Sequence, residues 1–556
     1  MATKINLRSP FYIKAQDSDL ASATLNLYIY TGTLNTDKPA TAQYTITKSE
    51  ISTNNYVIFE IAELVRDYLD IEFDAEYNSQ CVWVYYELDI INSAGTTLFS
   101  DADLLLGVDG YGYFEEGAFA QTNLLSGIDQ LNDTNYWTKQ NNIAAVENYA
   151  DTFITGEQKA TQLGATTTTF ASNGIQSQSI NTSGRKTFSI YAKRENANFV
   201  ALQYLKGTSQ PSFQFFDLLN GKTGTSFSFS TNLLEARIYD YGNDWYKCEV
   251  DFDVDGSDTA KFSIYVARTD NDFDTKFFDT IIVFNPRLED AKKYINRDTL
   301  LQSNKTVFRL NDYNIRVPIY TEKTTSIAYR YQGETKRSQT ISSSVNTSGQ
   351  IDYVTASGND NVDTYEQRVL ADGGTLEQSP LLDEFLDTTD IGIVDELYVS
   401  SDKSTDIIKI KTFECSKYEP IKVTFVNKFG ALQDIFFTLK SIESTNVRSE
   451  SYKRSVFNQD TLSYNTSQHQ NQLFHTNAND KIVVNTDYLN DDYNEVIEQL
   501  MISEQTWMTR ITNDDELVLP VVPSTKSVTY KTSLNDKLVQ YTVEFDMAFD
   551  KINNIR

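Results

Sequence analysis

The chain has 556 residues and is strongly acidic, with 77 Asp and Glu against 48 Lys and Arg and a formal net charge of −29. Such a surface repels phosphate backbones and anionic bilayers, which argues against nucleic-acid binding. No run approaches the ~18 apolar residues of a membrane span, and no charged-then-apolar secretory leader follows Met1. Tyr and Phe are abundant, at 34 and 32, beside only 9 Pro, a mix that suits β-strands and their turns over helical bundles. The length predicts about three or four domains. Cys81, Cys248 and Cys415 are far apart and odd in number. They make neither a disulfide framework nor a metal-ligand spacing, and are expected as small buried apolar residues.

Residues 1–118 read as a β-sandwich. LNLYIY (25–30), AQYTITK (42–48), VIFEI (57–61) and CVWVYYELDII (81–91) are rich in β-branched and aromatic residues. A short helix is expected over Ala62–Leu69, with Ile61, Leu64, Val65 and Tyr68 on one face. The glycines of GVDGYGYFEEG (107–117) lack a following apolar helix, so the segment reads as a domain exit and not a phosphate loop.

Residues 119–298 alternate strongly. Phe188, Ile190 and Ala192 interleave with Ser189, Tyr191 and Lys193; Cys248, Val250, Phe252 and Val254 interleave with Glu249, Asp251, Asp253 and Asp255. The first pattern predicts a half-buried strand and the second a strand with one apolar and one acidic face. Asn220-Gly221 predicts a hairpin turn with positive φ at both positions. In order along the stretch stand TFSIYAKRENANFVALQY (187–204), FFDLLNGKTG (215–224), ARIYDYGNDWYKCEVDFDV (236–254) and NPRLEDAKKYI (285–295). This succession resembles the carbohydrate-binding-module-like jelly rolls of phage tail and fibre proteins. It departs from them at Asn243-Asp244 and at Asn285-Pro286-Arg287. The resemblance starts and stops cleanly, so the module is expected to be an insertion into a parent formed by the flanking segments.

Residues 299–445 return to strands, including KTVFRL (305–310), IIKIKTFE (407–414) and PIKVTFVNKFGALQDIFFTLKS (420–441), with a hairpin at Asn427-Lys428-Phe429-Gly430. Residues 335–365 read as a loop rich in Ser, Thr, Asn and Gly. Residues 446–556 form an α+β region. His469 and His475 lie in its Gln/Asn-rich stretch and are expected in solvent. A helix over Asp491–Met508 is predicted, with Val496, Ile497, Leu500, Met501 and Trp507 as its stripe and Asn490-Asp491-Asp492 as its cap. INLRSPFYI (5–13), NKFGALQDIFF and the closing KLVQYTVEFDMAFDKI (537–552) resemble, in patches, tail-associated proteins of phages infecting Bacteroidetes-type bacteria.

The expected fold class is thus mainly β: several β-sandwiches, a central jelly roll and a C-terminal β-rich region with one amphipathic helix. No acyl-transfer, zinc-protease or phosphate-loop motif is present, and the chain is read as no enzyme and in need of no cofactor. Asp251, Asp253 and Asp255, and likewise Asp270, Asp272 and Asp274, have the alternate-acid spacing of a calcium loop. Neither set has an acid at the twelfth position, where Phe262 and Ile281 stand, so calcium is the lesser reading and solvated acids the greater. Aromatic faces stack on the C–H face of a pyranose while amides and carboxylates bond its hydroxyls; Trp137, Tyr149, Tyr204, Phe213 and Tyr246 are the candidates, with Trp245 packed inside. The resemblances imply a structural protein of the phage virion, in the tail, baseplate or fibre. Its expected partners are other virion proteins, further copies of itself and host surface glycan, with no membrane insertion. It would be made in the host cytoplasm without a signal peptide. A head-associated decoration protein and a polysaccharide depolymerase are the alternatives.

Overall fold

A computed structural model describes residues 3–31, 37–53, 55–71, 73, 81–112, 123–149, 160–167, 171–207, 210–228, 232–254, 259–275, 277–291, 300–310, 315–321, 324–331, 333–342, 350–356, 395–400, 405–413, 417–512, 515–525, 527 and 538–552. Within them the chain is mainly β, with two short helices. It divides into two compact units: residues 1–298 with 320–325 and 340–352, and the remainder. Both joints of the 119–298 segment lie outside the described residues. The expected 335–365 loop is corrected where it is described: Glu334–Ser342 and Gln350–Ala356 are strands, and 343–349 and 357–365 lie outside the described residues.

The first unit opens with β1 (Thr3–Asn6), β2 (Tyr12–Gln16), β3 (Leu20–Tyr30), β4 (Tyr44–Lys48), β5 (Tyr56–Glu60), α1 (Ala62–Arg66), β6 (Cys81–Asn92) and β7 (Thr97–Val108). One sheet runs β1-β7-β6-β3-β4, and β2 pairs with β5 in a second. Leu25, Leu27, Val82, Val84 and Leu105 of the first share a core with Ile13, Val57 and Phe59 of the second. The sandwich is therefore as expected. Its helix is shorter than expected: Ala62 and Val65 are buried, whereas Tyr68 is exposed. A helix this short is unstable alone, so only the turn that packs persists.

The jelly roll follows with β8 (Trp137–Gln140), β9 (Ile143–Val146), β10 (Thr161–Ala165), β11 (Ala171–Ser172), β12 (Gly174–Ser177), β13 (Ile180–Asn181), β14 (Gly184–Arg194), β15 (Phe199–Lys206), β16 (Gln210–Asp217), β17 (Lys222–Phe227), β18 (Leu233–Asp240), β19 (Trp245–Val254), β20 (Thr259–Ala267), β21 (Asp274–Thr275) and β22 (Thr280–Asp290). One sheet has the order β18-β19-β14-β22-β10-β9; the other runs β17-β16-β15-β20-β12-β8, with β13 beside β20. Phe188, Ile190 and Ala192 of β14 and Cys248, Val250 and Phe252 of β19 share one core with Val200 and Leu202 of β15 and Phe262 and Ile264 of β20. The period-two pattern placed these core residues correctly, but β14 is not the half-buried strand expected: Ser189 and Tyr191 on its other face are buried as well. The turn differs in detail: Gly221 alone has positive φ, at 60°. The preceding residues are held by Asp217, whose Oδ1 accepts from Leu219 N at 2.9 Å and Asn220 N at 3.1 Å. Cys81 and Cys248 are buried thiols, and burial pushes the Cys248 thiol up. Cys415 lies outside the described residues.

In the second unit, Thr306–Leu310 runs parallel to Thr405–Phe413, which pairs in turn with Glu396–Ser400. A seven-stranded sheet has the order Leu432–Phe437, Ile421–Val426, Thr506–Thr512, Asp515–Pro523, Thr542–Met547, Asn471–Asn485, Ile442–Lys453. The segments 299–445 and 446–556 therefore share one sheet. Gly430, at φ 78°, closes the expected hairpin. Helix α2 (Tyr493–Ile502) buries Val496, Ile497 and Leu500 against Val423, Phe425 and Phe545. It ends sooner than predicted, because Ser503 turns to extended backbone and Thr506–Thr512 joins the sheet beside Ile421–Val426. Trp507 and Met508 are strand residues. Asp492 makes no side-chain cap; its Oδ2 accepts from Lys305 N at 3.3 Å.

Candidate functional site

The outer face of the β17-β16-β15-β20-β12-β8 sheet carries an ordered row of side chains. Cross-strand register sets Phe227 opposite Phe213, Phe213 opposite Gln203, and Gln203 opposite Ser263. The row continues from Ser263 to Gln176 and from Gln176 to Thr138. A parallel row runs Phe215, Ala201, Tyr265, Gly174, Gln140. Residues opposite one another on neighbouring strands point to the same face, so each row is a line of adjacent side chains. One end of this face is aromatic and the rest is amide and hydroxyl.

Buried Ala201, Phe215 and Ala267 form the floor of the aromatic end, and Phe199, Phe213, Tyr265 and Phe273 pack on it. Phe213 stacks on Phe227 at 5.4 Å and 24° between planes. It meets the edge of Phe273 at 4.9 Å, and Phe273 meets Tyr265 at 5.2 Å. Phe227, 48 % exposed, is the most open of these rings. Asp270 straps the strand that bears it, Oδ1 accepting from Thr225 N at 2.7 Å and Oδ2 from Thr225 Oγ1 at 2.9 Å. Next to that strap a Cβ on Gly224 would come within 2.5 Å of Asp270 Oδ1, so glycine is required for the close approach. At the polar end Gln176 Nε2 donates to Ser263 Oγ at 3.0 Å, and Gln140 Nε2 approaches Gln176 Oε1 at 3.5 Å. Tyr265 covers Gly174, where a Cβ would lie 2.5 Å from its ring. Burial raises the Tyr265 phenol above its ordinary value, with the hydrogen bond to Ser263 acting the other way.

Of the aromatics predicted for sugar contact, Phe213 lies in the aromatic end of this face. Trp137 and Tyr204 are corrected to core residues, each 1 % exposed. Trp137 Nε1 donates to Gly127 O at 2.9 Å, and Tyr204 stacks on Phe262 at 5.5 Å. Neither offers a ring face to solvent. Tyr149 is half-buried, its hydroxyl donating to Glu195 Oε1 at 2.8 Å. Burial works to raise the Glu195 carboxyl, but the hydrogen bonds from Thr280, Tyr149 and Gln162 outweigh it and hold the group below its ordinary value. Tyr246 is also half-buried and lies over Gly221, where a Cβ would fall 2.8 Å from its ring. Burial, then Asp240, Asp244 and Asp217, raise its phenol. Trp245 is fully buried, as expected.

The calcium candidates are dispersed. Asp251 is fully buried and accepts from Arg185 Nη2 at 2.6 Å, Arg237 Nη2 at 2.8 Å and Thr187 Oγ1 at 2.7 Å. The acidic face of β19 is therefore not solvated at this point: Asp251 and Glu249 are inside an ion network with Arg237 and Lys247. Two guanidinium groups occupy the positions a cation would need. Asp253 is exposed, as are Asp270, Asp272 and Asp274. Asp272 Oδ1 accepts from Asp274 N at 2.8 Å, and Asp255 lies outside the described residues. Among the described residues no group of three His, Cys, Asp or Glu is placed to hold a metal ion, and no helix is long and apolar enough to cross a membrane.

The departure at Asn285-Pro286-Arg287 also has a structural role. Arg287, 1 % exposed, donates through Nη1 to Asp101 Oδ1 at 2.6 Å and through Nε to Glu289 Oε1 at 2.5 Å. Asn285 Nδ2 donates to Ala102 O at 2.7 Å. The bonds to Asp101 and Ala102 tie β22 of the jelly roll to β7 of the N-terminal sandwich.

Phe199, Phe215, Phe227, Tyr265, Phe273, Gln203 and Gln176 escaped the sequence reading. The two-residue spacing of Phe213 and Phe215 was a usable signal; the others join the face only through register. No family model matches the chain, and no curated protein does. Among solved structures, the chain is similar to the adhesin domain of Epf from Streptococcus pyogenes, at 11 % identity and TM-score 0.14 over 46 % of this chain and 79 % of that one. It is similar to the secreted serine protease VesC from Vibrio cholerae at 9 % identity and TM-score 0.14, over 51 % of this chain and 49 % of that one. At such scores neither likeness bears on fold or function.

Proposed function

We propose that this chain is a structural component of a bacteriophage particle, in the tail, baseplate or fibre, whose jelly roll attaches to host-surface glycan. The observation that carries the adhesive part is the row Phe227-Phe213-Gln203-Ser263-Gln176-Thr138. Phe227, 48 % exposed, with the half-buried Phe213 and Gln203 beside it, suits the apolar side of a pyranose and one of its hydroxyl groups, while the buried Ser263–Gln176 pair holds the row in place and exposed Thr138 closes it. The particle part rests on the sequence resemblances of the jelly roll and of the flanking segments. A single shallow face binds weakly, and repetition on a particle raises effective concentration enough for firm attachment.

The full chain, displayed in many copies on beads, is expected to be retained by host-surface polysaccharide. The double variant Phe213→Ala, Phe227→Ala should lose retention while keeping the far-ultraviolet circular dichroism of the wild type. Retention equal to wild type would remove this face as the site. Release of soluble oligosaccharide would replace adhesion with cleavage. Labelled antibody against the chain should decorate tails of intact particles; decoration of heads alone would move the protein there.

A further inference from the structure

Strand β22 is irregular where it meets β14. Ser189 stands opposite Arg287 and Tyr191 opposite Phe284, so Asn285 and Pro286 together face the single residue Ile190. Such a β-bulge re-aims a side chain. Asn285 takes φ 48°, a left-handed conformation that asparagine tolerates better than most residues. Pro286 brings no N–H that the break in pairing would strand. Asn285 Nδ2 reaches β7 and donates to Ala102 O at 2.7 Å. Its Oδ1 has no hydrogen-bond partner, in a residue only 4 % exposed. An unmet buried acceptor is costly.

That side chain lines a cavity of about 20 Å³ inside the first unit, shared by β22, β6, β7 and the segment before β8. The space admits one water-sized group. Its other polar walls are all carboxylates: Glu87 and Asp89 of β6, Asp101 of β7, and Asp129. Asp101 is buried and the other three are half-buried. Tyr28 Oη donates to Glu87 Oε2 at 3.2 Å, and Arg287 Nη1 to Asp101 Oδ1 at 2.6 Å. Even so, burial raises the Asp101 carboxyl to about 6, so one guanidinium does not offset the cost of burying that charge. Ile128 and Phe284 supply an apolar wall. With Asn285 Nδ2 spent on Ala102, no side chain lining the cavity offers a donor at neutral pH.

The complement of such a space is a small cation that carries donors and no acceptor. A chelated metal does not fit, because among the described residues no three acids are placed to hold one. A guanidinium is planar and larger than the space. A primary ammonium has three donors, no acceptor and roughly the size of a water molecule. We propose that this cavity binds the primary ammonium group of a small amine, with Asn285 Oδ1 and the surrounding carboxylates accepting its N–H bonds and its first carbon against Ile128 and Phe284. The site is separate from the glycan face, which lies on the other sheet of the jelly roll.

Calorimetric titration of the full chain with methylammonium chloride, at ionic strength held constant with sodium chloride, tests it. One saturable site is expected, displaced by ammonium and not by tetramethylammonium, which has the charge without the donors. Asp129→Asn and Asn285→Gly should each weaken binding at least about tenfold. Glycine keeps the positive φ of the bulge, and should Asn285→Gly unfold, the isosteric Asp129→Asn on its half-buried segment still decides. Glucosamine and Nα-acetyl-lysine amide show whether a sugar or a peptide can carry the ammonium; binding by neither restricts the site to free amines, and N-acetylation of either amine should abolish binding. No methylammonium binding overturns the proposal, since the cavity then holds water alone. So does equal binding of tetramethylammonium or calcium, or an Asp129→Asn protein that binds as the wild type does.

Discussion

Replacing Asp251 by Asn tests whether the acid-rich strand β19 serves structure or cation binding. The carboxylate is fully buried and accepts from Arg185, Arg237 and Thr187. Breaking a buried, hydrogen-bonded ion pair costs about 3–5 kcal/mol. Two features reduce that here. Arg185 has a side chain 46 % exposed, so water screens its share. Arg237, 7 % exposed, keeps Glu249 at 3.4 Å and Glu235 at 3.0 Å as compensation. The expected loss is thus about 2–3 kcal/mol, a fall in Tm of roughly 5–10 °C for a module of this size. Differential scanning calorimetry of wild type and Asp251→Asn, each with calcium and with chelator, measures it. The ion-network account requires a large mutational shift and no calcium shift in either protein. A variant that melts within about 0.5 kcal/mol of wild type would refute the network account. So would a calcium-dependent rise in wild-type Tm that the variant lacks.

Three further outcomes are expected. Burial pushes the Asp101 carboxyl up to about 6, against the opposing pull of Arg287; the folded state therefore holds a proton that the unfolded chain has lost between about pH 4 and 6. Stability from this group should rise as pH falls from 7 towards 4, and denaturant melts of Asp101→Asn should lack that slope; parallel slopes in the two proteins would contradict it. Asp434 behaves oppositely: burial favours its neutral form, but Arg316, Lys422 and Thr424 hold it below its ordinary value. Its stabilisation is present above the unfolded carboxylate range and lost as pH falls through the folded value, so Asp434→Ala should cost about 3–5 kcal/mol at neutral pH and less in acid. Gly127 has φ 62°, and a Cβ there would lie 2.4 Å from the Tyr136 ring; Gly127→Ala should destabilise by about 1–3 kcal/mol, read as a lower melting temperature with altered fluorescence of Trp137.

The sequence alone determined the layer structure. Alternation in 188–192 and 248–254 assigned the residues that fill the jelly-roll core. Asn427 to Gly430 set a hairpin, and Val496, Ile497 and Leu500 marked the packed face of α2. These features are local: side-chain period and turn geometry follow from a few consecutive residues. What alternation does not report is which face another layer covers. Asp251 and Glu249 fall on the polar side of their strand, yet tertiary packing buries them with Arg237. Tyr204 and Phe213 are aromatics on neighbouring strands, and only the pairing of Gln203 with Phe213 sends one ring inward and the other out. The candidate face itself was illegible for the same reason. Phe213, Phe227, Gln203, Ser263 and Gln176 are scattered over residues 176–263, and β-sheet register, a product of turns and core packing far from each of them, brings them into one row.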